Sequence, residues 1–406
     1  MAAAKKEATS SAHRAKVAIN VILKATGQKP LGFEKGGLPF VSSGSFVIDD
    51  LIGGTVAPDG KSLICPGYPR RRISEVYGPE SSGKTTAALH AIAEVQRQGG
   101  VAMFLDFEHA LHHGYAQKIG VKFNDTLLYY APDTLEDGVK MIYVGIKSGL
   151  DLIVCDSVAA MVTKDELEKG IDKVARIGER AMAFSRNLPK LTIWLSKDYE
   201  NNPKGTALIF INQTRASIGG YGDSETTTGG MALKFFAYLR LRFVRLRSDV
   251  IKRKDKVSGK DRSYPYGNHT QVKVVKSKVD AKQGHTGDIF IRFGFGIDDI
   301  HSIIEGGVSN KIIKKSGPMY EYAGQKFKGK ERLRAFLVGD PKVTMDLRKT
   351  VLEAIRAMDT IPDEDLAEDD EIAMGIEMES GSDDTVNEEV LDEAVEEESA
   401  SIGDGG

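Results

Sequence analysis

The chain reads as an α/β protein. It has a P-loop core on a mostly parallel central sheet, a short N-terminal helix segment, a small α/β C-terminal domain and a disordered acidic tail. Three observations predict this. A glycine-rich G-x-x-x-x-G-K-[ST] stretch sits between an apolar strand and an amphipathic helix. Apolar runs alternate with helical patterns through the middle of the chain, as a parallel sheet requires. Residues 362–406 hold 19 Asp and Glu and no Lys or Arg, a composition that cannot bury a core.

Taken in order, His13–Ala25 reads as a short basic helix ending before Gly27 and Pro30. Leu31–Pro39 is a glycine-rich connector and Ser42–Leu51 opens a compact segment. Gly53–Arg72, rich in Gly, Pro, Lys and Arg, reads as a loop. Ile73–Tyr77 is a strand. Thr85–Gln96 is a helix with Ala88, Leu89, Ile92 and Val95 at apolar positions. Val101–Phe107 and Leu152–Cys155 are strands. A polar stretch from Asp165 turns helical from about Ile177 to Leu188. Ala207–Ile211 is a further strand. Phe235–Arg247 and Gln271–Val279 alternate, as an antiparallel extension with one wet face would. From about Gly284 the pattern becomes a small α/β module around Ile303 and Leu333. The expected domains are 1–40 (helix, linker and subunit contact), 41–283 (core), 284–359 (small basic domain) and 360–406 (tail).

The 406 residues are 41% hydrophobic, enough for one large core and a smaller domain. No stretch approaches the ~18–20 apolar residues of a membrane span. Val17–Leu23 is too short for a signal peptide, although the basic, acid-poor N-terminus fits a transit peptide as well as an exposed helix. Cys65 and Cys155 form no disulfide framework or metal cluster, which implies a reducing cytoplasm. The net charge of -3 conceals an asymmetry, because outside 362–406 there are 55 basic and only 39 acidic residues. A basic body suits a polyanionic partner, and the tail is either a competing polyanion or a solubiliser.

Gly78-Pro79-Glu80-Ser81-Ser82-Gly83-Lys84-Thr85 is the P-loop. Its glycines let backbone N–H groups face a phosphate, Lys84 reaches the β- and γ-phosphates, and the Thr85 hydroxyl suits Mg²⁺. The helix that follows points its positive end at the same anion. ATP with Mg²⁺ is the implied ligand. Leu152–Asp156 ends an apolar strand in a carboxylate, where a second magnesium-supporting group belongs. Phe104–Glu108 also ends in carboxylates. Ligands of such sheets sit outside the carboxyl ends of strands, so Glu108 is placed to activate water. Gln213 is neutral and able to bond a γ-phosphate. The loop after it contains Gly219, Gly220 and Gly222, so it has the makings of a switch.

Gly78–Thr86, Asp106–Leu111, Val154–Ala160, Phe210–Gln213 and Glu225–Phe235 together resemble the bacterial RecA recombinases, from about Val41 to Met358. The resemblance implies an ATP-dependent helical filament on single-stranded DNA. Such a filament pairs with homologous double-stranded DNA, exchanges strands and shows DNA-stimulated hydrolysis. It makes Glu108 the catalytic base, Asp156 the second acidic metal-site residue and Gln213 the γ-phosphate sensor. It makes Tyr115 the aromatic on adenine. Lys276 and Lys278 become lysines that reach a neighbour's ATP. The second DNA loop would be Thr214–Thr228, with Arg215, Gly219, Gly220, Thr226, Thr227 and Thr228. The first would lie near Lys164–Ile177, with Arg176 and Arg180 on or beside it. Phe235 becomes a subunit-interface residue, although by itself it reads as core. Without the resemblance, Lys276 and Lys278 read as the polar face of a strand, while Arg176 and Arg180 still suit phosphates, with a solvated helix face as the alternative.

Several features depart from the pattern. His112 replaces an Asp near the adenine, and His113 and Gly114 also differ. Gly53–Arg72 is long and Trp194–Gly205 looks inserted. These mark a divergent member and leave a bacterial or viral host open. A hexameric helicase or translocase on the same core is the main alternative, followed by a small-molecule kinase and a filament without strand exchange. The C-terminal lysines 311, 314, 315, 326, 328 and 330 suit duplex capture. If the tail competes for that surface, deleting residues 362–406 will raise duplex affinity most at low salt. Unchanged affinity across a salt series refutes the competition.

Overall fold

The computed structural model describes residues 11–26, 38–54, 63–168, 178–197, 200–216, 225–228, 230–254, 261–280 and 282–359. The tail expected to be disordered lies outside them. The chain divides into two compact units, 1–351 and 352–406. The second is described only where it completes the last helix.

Helix α1 (Ser11–Thr26) comes first, as expected, with Ile19, Val21 and Ile22 exposed. Then β1 (Phe40–Val41), α2 (Phe46–Gly53) and β2 (Tyr68–Pro69) follow, and β1 pairs with β2. The segment read as a loop to Arg72 therefore contains a strand. The Arg70 guanidinium that follows it donates to Asp151 at 2.9 Å and to the Gly205 carbonyl at 2.8 Å.

The large sheet is built from β3 (Ile73–Gly78), β4 (Ala102–Asp106), β5 (Leu127–Tyr130), β6 (Leu152–Asp156), β7 (Ala207–Ala216) and β9 (Leu239–Lys254). These six are parallel, in the order β9-β3-β7-β6-β4-β5. Neighbouring side chains point to opposite faces, so each buried strand feeds two cores. Leu152 and Val154 join α3 (Lys84–Arg97) on one face through Ala88, Leu89 and Ile92. Ile153 and Cys155 join the other face. There Leu135, Ile142 and Ile146 of α5 (Leu135–Lys147) meet Phe184, Leu188 and Leu191 of α7 (Glu179–Ser196). Helix α4 (His113–Ile119) follows β4, α6 (Lys164–Glu168) precedes α7, and β8 (Glu225–Thr227) pairs with the end of β7.

Two expectations change here. Helix α7 continues through Pro189 to Ser196 instead of ending at Leu188. A proline inside a helix costs about 3 kcal/mol. Burial of Leu191 and Leu195 returns roughly 1.5–3 kcal/mol each, and Trp194 packs on Tyr143 with ring centroids 4.3 Å apart. The segment thought inserted from Trp194 thus begins as helix. The alternating run thought to start at Phe235 instead begins as α8 (Gly230–Phe236), and β9 starts at Leu239.

Strand β9 forms a long antiparallel ladder with β10 (Asp261–Ser277), followed by β11 (Thr286–Arg292) and β12 (Gly296–Ile297). The sheet therefore runs past the boundary expected at Gly284. The small module begins with α9 (Asp299–Ser309) and a three-stranded sheet of β13 (Lys314–Ser316), β14 (Met319–Tyr322) and β15 (Gln325–Lys328). Helices α10 (Lys330–Gly339) and α11 (Pro341–Asp359) complete it.

Glu75, on β3, is fully buried. Its carboxylate accepts from Arg240 Nε of β9 at 2.6 Å and from Asn212 Nδ2 of β7 at 2.9 Å. Removing one partner of a buried pair leaves an uncompensated charge. Glu75→Leu is therefore expected to cost about 3–5 kcal/mol. Glu75→Leu combined with Arg240→Met should cost clearly less. Urea midpoints of the two variants provide the check.

Candidate functional site

The loop between β3 and α3 curls around its own lysine. Lys84 Nζ donates to the carbonyls of Gly78 at 3.0 Å and Pro79 at 2.6 Å, with Ser82 Oγ 3.5 Å away. Burial lowers the Lys84 pKa, and the carboxylates of Asp156, Glu108 and Glu80 oppose that shift. Gly83 has φ +94°, and a Cβ there would stand 2.1 Å from Ile291 Cδ1. At Gly78 a Cβ would stand 2.0 Å from the Phe243 carbonyl oxygen. The backbone thus needs both glycines. Ser81 is exposed, as is Glu80, and Ser82 Oγ bonds Pro79 O at 2.8 Å.

A cavity of about 400 Å³ opens beside this loop, lined by Lys84, Thr85, Thr86, Tyr115, Arg245 and Phe293 among others. Thr86 Oγ1 and Tyr115 Oη lie 3.1 Å apart, which fixes the tyrosine ring at the cavity wall. His112 Nδ1 accepts from the Tyr115 N–H at 3.0 Å, so a histidine caps α4. Arg245, Asn268, Ile291 and Phe293 carry no sequence signal for this pocket. They reach it only through the pairing of β9, β10 and β11.

Register assembles the chemistry. Gly78 lies opposite Gln213, and Asp106 opposite Asp156. Thr85 Oγ1 donates to Asp156 Oδ2 at 2.6 Å. Burial, then the nearby Glu108 and Asp106 carboxylates, pushes Asp156 up to about 6 against the Thr85 hydrogen bond. A buried carboxylate under like-charge pressure, bonded to a hydroxyl, has the donor chemistry for a hard divalent cation. Asp106 holds the next turn by accepting from the Leu111 N–H at 3.1 Å and Tyr129 Oη at 2.9 Å.

Glu108 is exposed and held by two donors on one oxygen, Ser157 Oγ at 2.5 Å and Gln213 Nε2 at 2.8 Å. Gln213 N–H donates to Asn212 Oδ1 at 2.9 Å, and Asn212 Nδ2 donates to the Thr228 carbonyl at 2.8 Å. Ser157 and Asn212 lie inside motifs visible in the sequence, but nothing there marks them as links.

The loop residues are placed unevenly. Thr214, Arg215 and Ala216 pair with Thr227, Thr226 and Glu225, so the second loop stands on a strand stem. Gly219, Gly220 and Arg176 lie outside the described residues, as do the side chains of Arg215 and Thr226. The hydroxyls of Thr227 and Thr228 are buried without a hydrogen-bond partner among the described residues. Arg180 binds both carboxylate oxygens of Glu166 through its Nε and Nη2, with Nε to Oε2 at 2.7 Å. That pairing raises its pKa and occupies the charge expected to meet phosphate.

Lys276 Nζ donates to the carbonyls of Lys234 at 2.8 Å and Phe235 at 2.9 Å, capping α8. Burial, then the Lys278 and Arg240 charges, lowers its pKa. Lys278 is exposed. The Phe235 side chain is 67% exposed, which overturns its reading as a core residue. It sits on the helix that Lys276 caps.

Comparison with known proteins agrees with this arrangement. Residues 20–298 match the family model for the RecA N-terminal domain, and residues 301–356 that for the RecA C-terminal domain. Protein RecA of Desulforapulum autotrophicum is 38% identical over 357 residues, covering 84% of this chain and 94% of that protein. Protein RecA of Salinispora tropica is 44% identical over 307 residues, 74% and 82% of the two chains. Protein RecA of Staphylococcus epidermidis is 40% identical over 344 residues, 84% and 90% of the two chains. With a P-loop, strand-end carboxylates and a glutamine-rooted loop in one register, the chain belongs to the RecA family.

Proposed function

We propose that the protein is a cytoplasmic, ATP-dependent recombination protein. It assembles as a helical filament on single-stranded DNA, pairs it with homologous duplex, exchanges strands and hydrolyses ATP in response to DNA. One observation carries this reading. A chain of contacts runs from Thr85 through Asp156, Ser157, Glu108, Gln213 and Asn212 to Thr228. It joins a phosphate cradle to the stem of a loop whose two buried threonine hydroxyls lack partners among the described residues. No helix among the described residues is long and apolar enough to cross a membrane.

The residues divide the work as follows. The backbone N–H groups of the Gly78–Thr85 loop, Pro79 apart, and the Lys84 ammonium hold the β- and γ-phosphates. Thr86 belongs to the same cradle, and Tyr115 offers its ring to the base. Thr85 and Asp156 hold Mg²⁺, which supplies neutralising charge to the phosphate oxygens. Glu108 orients the attacking water and takes its proton. Ser157 and Gln213 aim that carboxylate. Gln213 is also the sensor, because the amide that now donates to Glu108 is a neutral donor that a γ-phosphate would draw on. A change at Gln213 passes through Asn212 to the loop stem, a two-state element. Lys276 and Lys278 act on a neighbour's phosphates in the manner of an arginine finger. Phe235 and the apolar residues of α1 provide subunit contacts. Arg176, Arg180, Arg215, Gly219, Gly220, Thr226, Thr227 and Thr228 meet the DNA, Arg180 after release from Glu166.

Glu108→Gln should keep ATP binding and filament formation while turnover falls by about 10²–10⁴-fold. Steady-state hydrolysis and electron microscopy read this, and normal turnover removes Glu108 as the base. Closed rings in place of filaments would instead favour a helicase or translocase. Gln213→Ala should leave ATP affinity within a few-fold and abolish the stimulation of hydrolysis by single-stranded DNA. Retained stimulation means the loop is switched by another route. Joint-molecule formation between homologous strands, with and without ATP, tests strand exchange itself.

A further inference from the structure

Four residues along β9 from Arg245, which lines the cavity beside the phosphate cradle, three side chains from three elements converge. Asp249 lies on β9, His269 on β10 and His301 on α9. Their carboxylate oxygen and ring nitrogens all lie within 4.8 Å of one another. His269 and His301 are buried at 8% and 3% exposure. The ladder slips between Pro265 and Gly267, and Gly267 pairs with Asp249, so the Tyr266 bulge sets the approach of Asp249 to His269. We propose that Asp249, His269 and His301 form a site for a transition-metal ion, with Zn²⁺ the expected occupant, that ties the β9–β10 hairpin to the C-terminal module.

Four features support a cation here. Asp249 Oδ2 and His269 Nε2 are 3.2 Å apart. That matches the roughly 3.3 Å edge of a zinc tetrahedron with ~2.0 Å bonds. Phe290 stacks on the His301 ring at 3.8 Å and 14°, holding its plane, and Tyr266 Oη donates to Asp249 Oδ2 at 3.3 Å. Such outer partners orient metal ligands. The His269 and His301 rings meet edge to face with centroids 5.4 Å apart, so two buried imidazoles share one enclosed space.

The fourth feature is that a cation already faces the cluster. Lys330 Nζ lies 3.3 Å from His301 Nε2 and also pairs with Glu305. Glu305 Oε1 is itself 3.9 Å from His301 Nε2. The ammonium therefore acts as a placeholder. A metal ion would displace it, and Glu305 or water would complete four ligands. The cavity of about 540 Å³ lined by His301, Lys330, Tyr266 and Phe290 gives access. Two imidazoles and one carboxylate favour Zn²⁺ over Mg²⁺, so the cation of the phosphate site does not compete.

The test uses the full chain, stripped with a chelator and titrated calorimetrically with Zn²⁺ in excess Mg²⁺. One equivalent should bind and raise Tm. His269→Gln and His301→Gln should each weaken binding on the order of 100-fold and abolish the Tm shift. Lys330→Gln should tighten it about tenfold, because it removes the competing ammonium and frees Glu305. The Lys330 side chain is partly exposed, so this variant remains informative if a histidine variant does not fold. Co²⁺ in place of Zn²⁺ should give the intense visible absorption of a tetrahedral complex, lost in His301→Gln. Unchanged Zn²⁺ affinity in the two histidine variants overturns the proposal. So does unchanged or weaker affinity in Lys330→Gln.

Discussion

The carboxylate of Glu75 is the constraint on which the sheet depends. It is fully buried, so it must be paired, and its partners come from the strands on either side. Arg240 binds it from β9 and Asn212 from β7, the two strands that flank β3 in parallel. Arg240 also lies over the Tyr77 ring at 4.5 Å. A slip of one residue in either neighbour would turn these groups to the wrong face. One charge therefore locks the register of β9, β3 and β7. Because β3 runs straight into the glycine loop, that register also sets Gly78 beside Gln213.

The same asparagine serves two masters. Asn212 Nδ2 donates both to Glu75 and to the Thr228 carbonyl, while its oxygen receives the Gln213 N–H. The stem of the second loop is thus bonded to a fully buried charge of the core. Gln213, one residue on, reaches Glu108 instead. Adjacent residues of β7 divide the tasks of anchoring the loop stem and addressing the Glu108 carboxylate.

What was legible in the sequence was what is local in the chain. Gly78–Thr85, Asp106–Glu108, Asp156 and Gln213 each announce themselves by a strand end or a fixed spacing, and the parallel half of the sheet follows from those strands. Contacts made by distant pairing left no such trace. Arg245, Asn268, Ile291 and Phe293 enter the pocket because β9, β10 and β11 stack beside β3. Pro189 looked like a helix end because a local penalty is visible, whereas the packing that overrides it is not. Phe235 looked like core because hydrophobicity does not disclose which side of a short helix faces water. The cluster of Asp249, His269 and His301 was invisible for the same reason, since one bulge and one helix start bring the three together.

The carboxylates at the strand ends have a further consequence. Asp156 is pushed up to about 6 by burial and by its acidic neighbours. An acid raised in the folded state stabilises the fold below its ordinary pKa, and that contribution is lost as pH rises through about 6. At neutral pH the folded chain therefore holds an ionised group against its surroundings. Any cation that settles beside Asp156 relieves that opposition. Loading the site and folding the sheet are then linked equilibria, so ligand occupancy bears on how long the chain survives heat and proteases.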